Sequence, residues 1–266
     1  MYDRDKYIEA PHELEGELKI IFDSITPKII FEIGACEGED SVKYSRMFPG
    51  SDIYSFEPLP DNIDRLRDNL RKYHVSNVKN FQLALSDKIG ETEFYVSSST
   101  FSKPEQNWDY GNKSSSLMPP KEHLEIVDFI KFDKRIEVAT TTLAEFCMVN
   151  GIRKIDYIHL DVQGAELLVL KGSQDFIKYV GAIWLEVSRK ELYAKQPLYD
   201  EVVQFMTLNN FFLVKDTVNE ITGDQLYLNR SIHPDYLAIK KKIYKAGRPR
   251  KGIVLSIKAY LKRWLQ

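Results

Sequence analysis

Apolar residues recur along this chain in two alternating patterns. Leu14, Leu18 and Ile21 stand at helical spacing and predict a helix over residues 11–24, which Thr26-Pro27 ends. Residues 28–33 form a short apolar run closing on Gly34, the pattern of a buried strand. A helix over 40–48 is closed by Pro49-Gly50, a second strand covers 52–56, and a charged helix covers 61–73. Residues 78–85 predict a third strand, and 91–96 a fourth beside it. The alternation pauses, then resumes with a strand over 136–140, a helix over 142–149 and a strand over 155–160. A helix over 165–171 and a strand over 182–187 follow. Residues 211–214 and 225–228 read as a closing antiparallel pair around a turn at 219–223. Strands alternating with helices across short connections predict an α/β fold: a mostly parallel central sheet, helices on both faces, and an antiparallel strand closing it.

The pause at 97–128 is rich in Ser, Asn, Pro and Gly, too polar for a core element. A loop of this length inside a compact domain is usually functional or disordered. Its aromatic residues Phe101, Trp108 and Tyr110 either stack on the flat face of a sugar-like acceptor or anchor the loop to the body.

With 43% hydrophobic residues the chain can bury a core, and no apolar run reaches the roughly 18–20 residues a membrane span needs. Residues 1–9 are charged and lack the apolar stretch of a signal peptide. Cys36 and Cys147 are too few for a disulfide scaffold and suit a reducing, cytoplasmic interior. The 37 Lys and Arg against 39 Asp and Glu give a net charge of −2, which argues against a polybasic nucleic-acid binder. That total hides a division: residues 240–266 hold ten basic residues and no acid, leaving −12 on the rest. Residues 240–251 read as a linker, and 252–266 as a basic amphipathic helix suited to an anionic membrane surface, a partner groove, an acidic polymer or the protein's own acidic body. The expected organisation is an N-terminal helical segment to residue 27, one domain over 28–230, and a basic tail over 231–266.

Chemistry concentrates where strands end. Glu32-Ile-Gly-Ala-Cys-Glu-Gly38 joins a strand to a helix, and Gly34 and Gly38 let the backbone turn sharply and approach a ligand. The helix that follows offers free N–H groups. Glu57 stands 19 residues after Gly38 at the end of the next strand, where a carboxylate can accept both hydroxyls of a ribose. In the strand over 155–160, Tyr157, His159 and Asp161 share one face, and Asp161 falls at its C-terminal end.

These stretches resemble the FkbM-type methyltransferases, of the class I S-adenosylmethionine-dependent kind. The resemblance is carried by EIGACEG, by SFEP around Glu57, by LALSD ending in Asp87, and by the Ser-rich segment ending in Ser115-Ser116-Leu117. TTTLAEF, IDYIHLDVQGAELLVLKG and WLEV around Glu186 continue it, over roughly residues 28–230. Three details depart from the family's usual pattern: Cys36 and Glu37 fill the middle of the glycine turn, His159 replaces a lysine, and Gln163 replaces a glutamate. The resemblance implies a Rossmann-like fold and S-adenosylmethionine held by Glu32, Gly34, Ala35, Cys36, Gly38, Ser41, Glu57, Pro58, Ser86 and Asp161. It implies O-methylation of a saccharide or another small natural-product acceptor, with Ser115, Ser116, Trp108, Tyr110 and Glu186 on the acceptor side. Transfer to nitrogen, protein or lipid, and a non-catalytic nucleoside-binding scaffold, are the rival readings.

A hydroxyl acceptor must lose its proton to a base or a metal. His159 or Asp161 can serve as that base, and a hydrogen-bonded core position is the alternative for His159. Asp161, Glu186 and a histidine could hold a metal, yet no spacing demands one. Cys36 reads as a packed small side chain, and His74, His123 and His233 as surface residues.

Overall fold

The computed structural model describes residues 3–23, 25–101 and 108–246. Its strands are β1 (Ile29–Ile33), β2 (Asp52–Phe56), β3 (Val78–Phe81), β4 (Ala84–Ser86), β5 (Gly90–Ser99), β6 (Ile130–Thr142), β7 (Ile155–Leu160), β8 (Val180–Ser188), β9 (Phe211–Asp216) and β10 (Thr222–Asn229). Its helices are α1 (Arg4–Glu9), α2 (Glu15–Ile21), α3 (Glu39–Met47), α4 (Pro60–Lys72), α5 (His123–Ile126), α6 (Leu143–Val149), α7 (Glu166–Gly172), α8 (Tyr199–Leu208) and α9 (Tyr236–Ala246).

Seven strands form the central sheet in the order β3-β2-β1-β7-β8-β10-β9. Neighbours from β3 to β8 run parallel, and β10 runs antiparallel between β8 and β9. This is the Rossmann-like, class I methyltransferase arrangement. Both faces are covered, which is why β8 is buried almost throughout. On one face Phe31, Ile158 and Leu160 pack with Phe146 of α6, Leu170 of α7 and Met206 of α8. On the other, Ile30, Tyr157 and Trp184 pack with Leu14 and Leu18 of α2, Tyr44 of α3, and Ile239 and Ile243 of α9.

Several expectations are corrected. The strand over 78–85 is two strands: the chain leaves the central sheet after Phe81, and β4 pairs instead with β6. The fourth strand does not lie beside β3, because β5 runs antiparallel to β6 in a three-stranded side sheet. β6 begins at Ile130, earlier than its apolar run suggested, since Lys131 and the charged residues 133–135 face outward along a pairing strand. The long loop is partly ordered by a short 3-10 turn over Asn112–Ser114 and by α5. α1 and α8 had no counterpart in the sequence reading. The expected linker from residue 240 is helical to Ala246, because Ile239 and Ile243 find apolar cover. The expected helix over 252–266 lies outside the described residues. Among the described residues no helix is long and apolar enough to cross a membrane.

Candidate active site

The order of strands reverses at β1, which lies between β2 and β7. The chain leaving β1 enters α3 on one face of the sheet, and the chain leaving β7 enters α7 on the other. The two connections therefore part, and the crevice at the strand ends is where open α/β sheets bind ligands. A cavity of about 280 Å³ occupies that place.

Its floor is the glycine turn. Gly34 has φ +88°, and a Cβ there would stand 1.8 Å from the Asp161 carbonyl oxygen, so only glycine lets the turn press against the end of β7. Gly38 caps α3 in the left-handed region and packs on Leu66. Behind the turn, Glu32 is buried and accepts from Ser41 Oγ and, at 2.9 Å, from Ser55 Oγ. Burial, with Asp40 nearby, pushes its carboxyl up to about 8. Glu57 closes the next strand: Oε2 accepts from Cys36 N at 2.9 Å and Oε1 from Leu59 N at 2.8 Å. Burial outweighs those bonds and pushes Glu57 up to about 7. Glu57 lines the cavity, and a carboxylate has acceptor capacity beyond its two backbone bonds, which suits a vicinal diol. Phe56, Leu83, Leu85 and Phe94 add an apolar part of the wall that suits a purine ring.

The unusual Glu37 is fully buried and does not face the cavity. It is held by Arg4 of α1, by Arg65 Nη1 of α4 at 3.1 Å and by Asn112 Nδ2 at 2.9 Å. The turn is thereby tied to the N-terminal arm and to the Ser-rich segment. Lys113 from that segment lies 3.0 Å from Glu39 and 4.4 Å from the Trp108 ring centroid.

The opposite end of the cavity gathers acids. Gln163, at φ +54°, donates from Nε2 to Asp161 Oδ1 at 2.6 Å and to Glu186 Oε2 at 3.1 Å. Its own Oε1 accepts from Tyr193 OH at 3.0 Å. A neutral amide thus bridges two carboxyls where a glutamate would set a third negative charge. Burial, with Asp161 and Glu166 beside it, holds Glu186 well above the usual carboxylate range. Asp161, Glu166 and Glu186 bring carboxylate oxygens within 4.8 Å of one another. Glu166 Oε1 already accepts from Val162 N and Gly164 N, and Gln163's amide lies between the other two. A cation there would have to displace that amide. Tyr7 and Glu13 of the N-terminal arm, Trp108 and Asp224 complete this end, with the Tyr7 and Trp108 rings 5.6 Å apart.

Of the residues singled out from the sequence, Glu32, Gly34, Ala35, Cys36, Glu57, Pro58, Trp108, Ser115, His159, Asp161 and Glu186 line the cavity. Gly38, Ser41, Ser86, Ser116 and Tyr110 do not, and serve its frame. Ser41 is spent on Glu32. Ser86 is buried at the end of β4, where its carbonyl presses on Gly172. Ser116 is fully buried and donates to the Gln163 carbonyl at 2.7 Å. Tyr110 packs edge-on against Phe101 of the same loop at 5.1 Å. His123, expected at the surface, is buried against Phe132 and Tyr193, and burial lowers its imidazole to about 4. Sequence reasoning missed Tyr7, Glu13, Asp40, Asn62, Lys113 and Asp224. They arrive from five separate segments, and no spacing signals such a meeting.

A family model described as the methyltransferase FkbM domain matches residues 32–213. The 2-O-methyltransferase NoeI of Sinorhizobium fredii is 31% identical over 204 residues, covering 77% of this chain and 80% of that protein. Methyltransferase 1 of Beauveria bassiana is 25% identical over 55% of this chain and 58% of its own length. Among solved structures, a SAM-dependent methyltransferase from Aquifex aeolicus aligns with 86% of this chain and 100% of its own at 12% identity and a TM-score of 0.41. This chain belongs to the FkbM-type family of S-adenosylmethionine-dependent methyltransferases.

Proposed function

We propose that this protein transfers the methyl group of S-adenosylmethionine to a hydroxyl oxygen of a saccharide or another small natural-product acceptor. The observation that carries the reading is the lining of one cavity, which includes the flat Trp108 ring together with Asp161, His159 and Glu186. An aromatic face suits the apolar side of a sugar ring, and side-chain acceptors suit its hydroxyls. The similarity to a protein named as a 2-O-methyltransferase supports the same reading.

Methyl transfer is an in-line displacement, so positioning supplies much of the rate. The acceptor oxygen approaches the methyl carbon as the carbon–sulfur bond breaks, and a base takes the hydroxyl proton. Glu57 holds the ribose, the glycine turn follows the methionine part, and Asp161 stands where the turn meets the acceptor end.

The test is incubation of the full chain with methyl-labelled S-adenosylmethionine and a panel of neutral mono- and oligosaccharides, amines and peptides. Label in an alkali-stable ether on a saccharide is the expected result. Label confined to amines, peptides or lipids, or cofactor binding without transfer to anything, would overturn it.

A further inference from the structure

A second cluster adjoins the cavity, and one of its three members lies outside the family match. His12 stands before α2, ahead of the matched residues 32–213, and is buried. Its Nδ1 accepts from Leu14 N at 3.0 Å, which leaves the ring proton on Nε2. Nε2 faces Asp40 Oδ1 of α3 at 3.9 Å. One nitrogen of His159 completes a group in which the three polar atoms all lie within 4.8 Å of one another. The two imidazoles stand edge to face at 6.1 Å, and the Tyr44 ring backs His159 at 5.8 Å.

Asp40 is surrounded by donors. Tyr7 OH reaches its two oxygens at 3.1 and 3.2 Å, Lys43 Nζ lies 3.6 Å away, and His12 adds its Nε2–H. The positive neighbours outweigh burial and hold its carboxyl below the usual range, so it is an anion at neutral pH. Burial lowers His12 to about 4, so that ring is neutral there. A neutral His12 turns its Nε2–H toward Asp40 and, with Nδ1 taken by Leu14 N, is a poor ligand for a metal. Among the described residues His159 Nδ1 is buried without a partner, whereas the ring itself lines the cavity beside Asp161.

We propose that His12 and Asp40 are positioning residues that hold the His159 imidazole with its proton toward Asp40, leaving its second nitrogen to accept the acceptor's hydroxyl proton. The proposal rests on the O-methylation reading. In the step, the acceptor O–H bond breaks and its proton passes to His159. The oxygen lone pair forms the bond to the methyl carbon, and the carbon–sulfur electron pair stays on sulfur, giving neutral S-adenosylhomocysteine. The imidazolium so formed lies next to the Asp40 carboxylate, which favours it. Polar atoms of Asp40 and His159 stand within 4.8 Å, and catalytic hydrogen bonds are often longer before the acceptor is bound than in the reactive complex.

The N-terminal arm is thus part of the catalytic wall. α1 anchors it through Arg4 and Glu37, and Arg46 Nη1 of α3 donates to the Ile8 carbonyl at 2.9 Å. His12 is delivered to α3 by contacts that also fix the glycine turn.

The experiment has an arm that needs no acceptor. In the full chain saturated with S-adenosylhomocysteine, side-chain nitrogen NMR, run at a pH where the ring is deprotonated, should find His159 in one dominant tautomer and His12 as the Nε2–H form. Asp40→Asn should mix or invert the His159 tautomer, while the dissociation constant for S-adenosylhomocysteine changes less than about threefold. An unchanged His159 tautomer in Asp40→Asn overturns the proposal, whatever the acceptor proves to be. With the best saccharide from the panel, His12→Leu should lower kcat at least tenfold at little cost in cofactor KM. His12→Gln, which keeps an N–H donor in that place, should recover most of the loss. Equal losses in both variants, or activity that requires an added divalent metal and vanishes with a chelator, would also overturn it. Absence of saccharide methylation in the wild type removes the O-methylation reading alone and leaves the NMR result to decide the positioning.

Discussion

Glu57 is the residue whose role can be measured most directly. It is buried, its two oxygens are fixed by backbone N–H groups, and its carboxyl is pushed up to about 7. A ribose diol donates to the ionised form, so affinity for S-adenosylhomocysteine should rise with pH and level off above about 7. Below that, each pH unit should cost up to about tenfold. Glu57→Ala should weaken binding by ~1–3 kcal/mol, read by calorimetry, since the diol loses a charged acceptor. Unchanged affinity would remove Glu57 from the site. Asp161 differs: it stands at the junction of turn and acceptor end, bonded to Gln163. Asp161→Ala should therefore lower turnover more than cofactor affinity, and a titration beside a rate measurement separates the two. Glu32, Glu57 and Asp161 are legible as cavity-lining positions because each lies at or next to the end of a strand. Ser116 and Ser86 lie off the cavity because a hydroxyl in a motif can be taken up locally: Ser116 Oγ donates to the Gln163 carbonyl and Ser86 Oγ to Asp87, and only the fold shows it.

Among the elements, α1 is six residues long, too short to hold itself together, and is made helical by what it touches. Arg4 enters the glycine turn, Tyr7 reaches Asp40, and Asp5 takes Lys72 and Tyr73 of α4. Arg4→Ala would leave Glu37 buried with Arg65 and Asn112 alone. The expected loss is about 2–4 kcal/mol in a urea melt, much of it recovered when Glu37→Gln is added. Equal melts for single and double variants would show that Glu37 does not need the arm. No periodicity marks α1, because its buried positions include an arginine. β6 is marked only in part for a related reason: Lys131, Asp133, Lys134 and Arg135 look like loop, yet they lie on the stretch of β6 that pairs with β5 alone, beyond its contact with β4. By contrast β1, β2, β7 and β8 are short apolar runs closed by turn residues, and they were found nearly to the residue.

For the whole molecule, the charge division carries the thermodynamic consequence. Burial raises Glu32 to about 8, and Glu57 and Glu166 to about 7, against an ordinary value of 4.5. An acid whose folded pKa exceeds its unfolded value binds its proton better when folded. The stability it gives is complete below the unfolded value and is lost as pH rises through the folded one. Asp40, held low, works oppositely and is lost only in strong acid. The ligand-free protein should therefore melt at progressively lower temperature from about pH 4.5 to about pH 8 and level off above it. A flat profile would show these carboxyls to be better solvated than their burial implies. S-adenosylmethionine brings a positive sulfonium to this acidic cavity, so its stabilising effect should be larger at the alkaline end. Calorimetric scans with and without the cofactor measure both.

The order of the central sheet also sets a timetable for synthesis. β1 hydrogen-bonds on one side to β2, which follows within two dozen residues, and on the other to β7, which emerges more than a hundred residues later. Until β7 arrives, the nascent β3-β2-β1 half presents β1 as a bare apolar edge, a template for pairing between chains. The contact between His12 and His159 waits equally long. The half that carries the glycine turn and Glu57 is made first, but its catalytic wall closes only when most of the chain has left the ribosome. Crowded expression thus exposes this protein to misassembly at the very strand on which the cofactor turn is built.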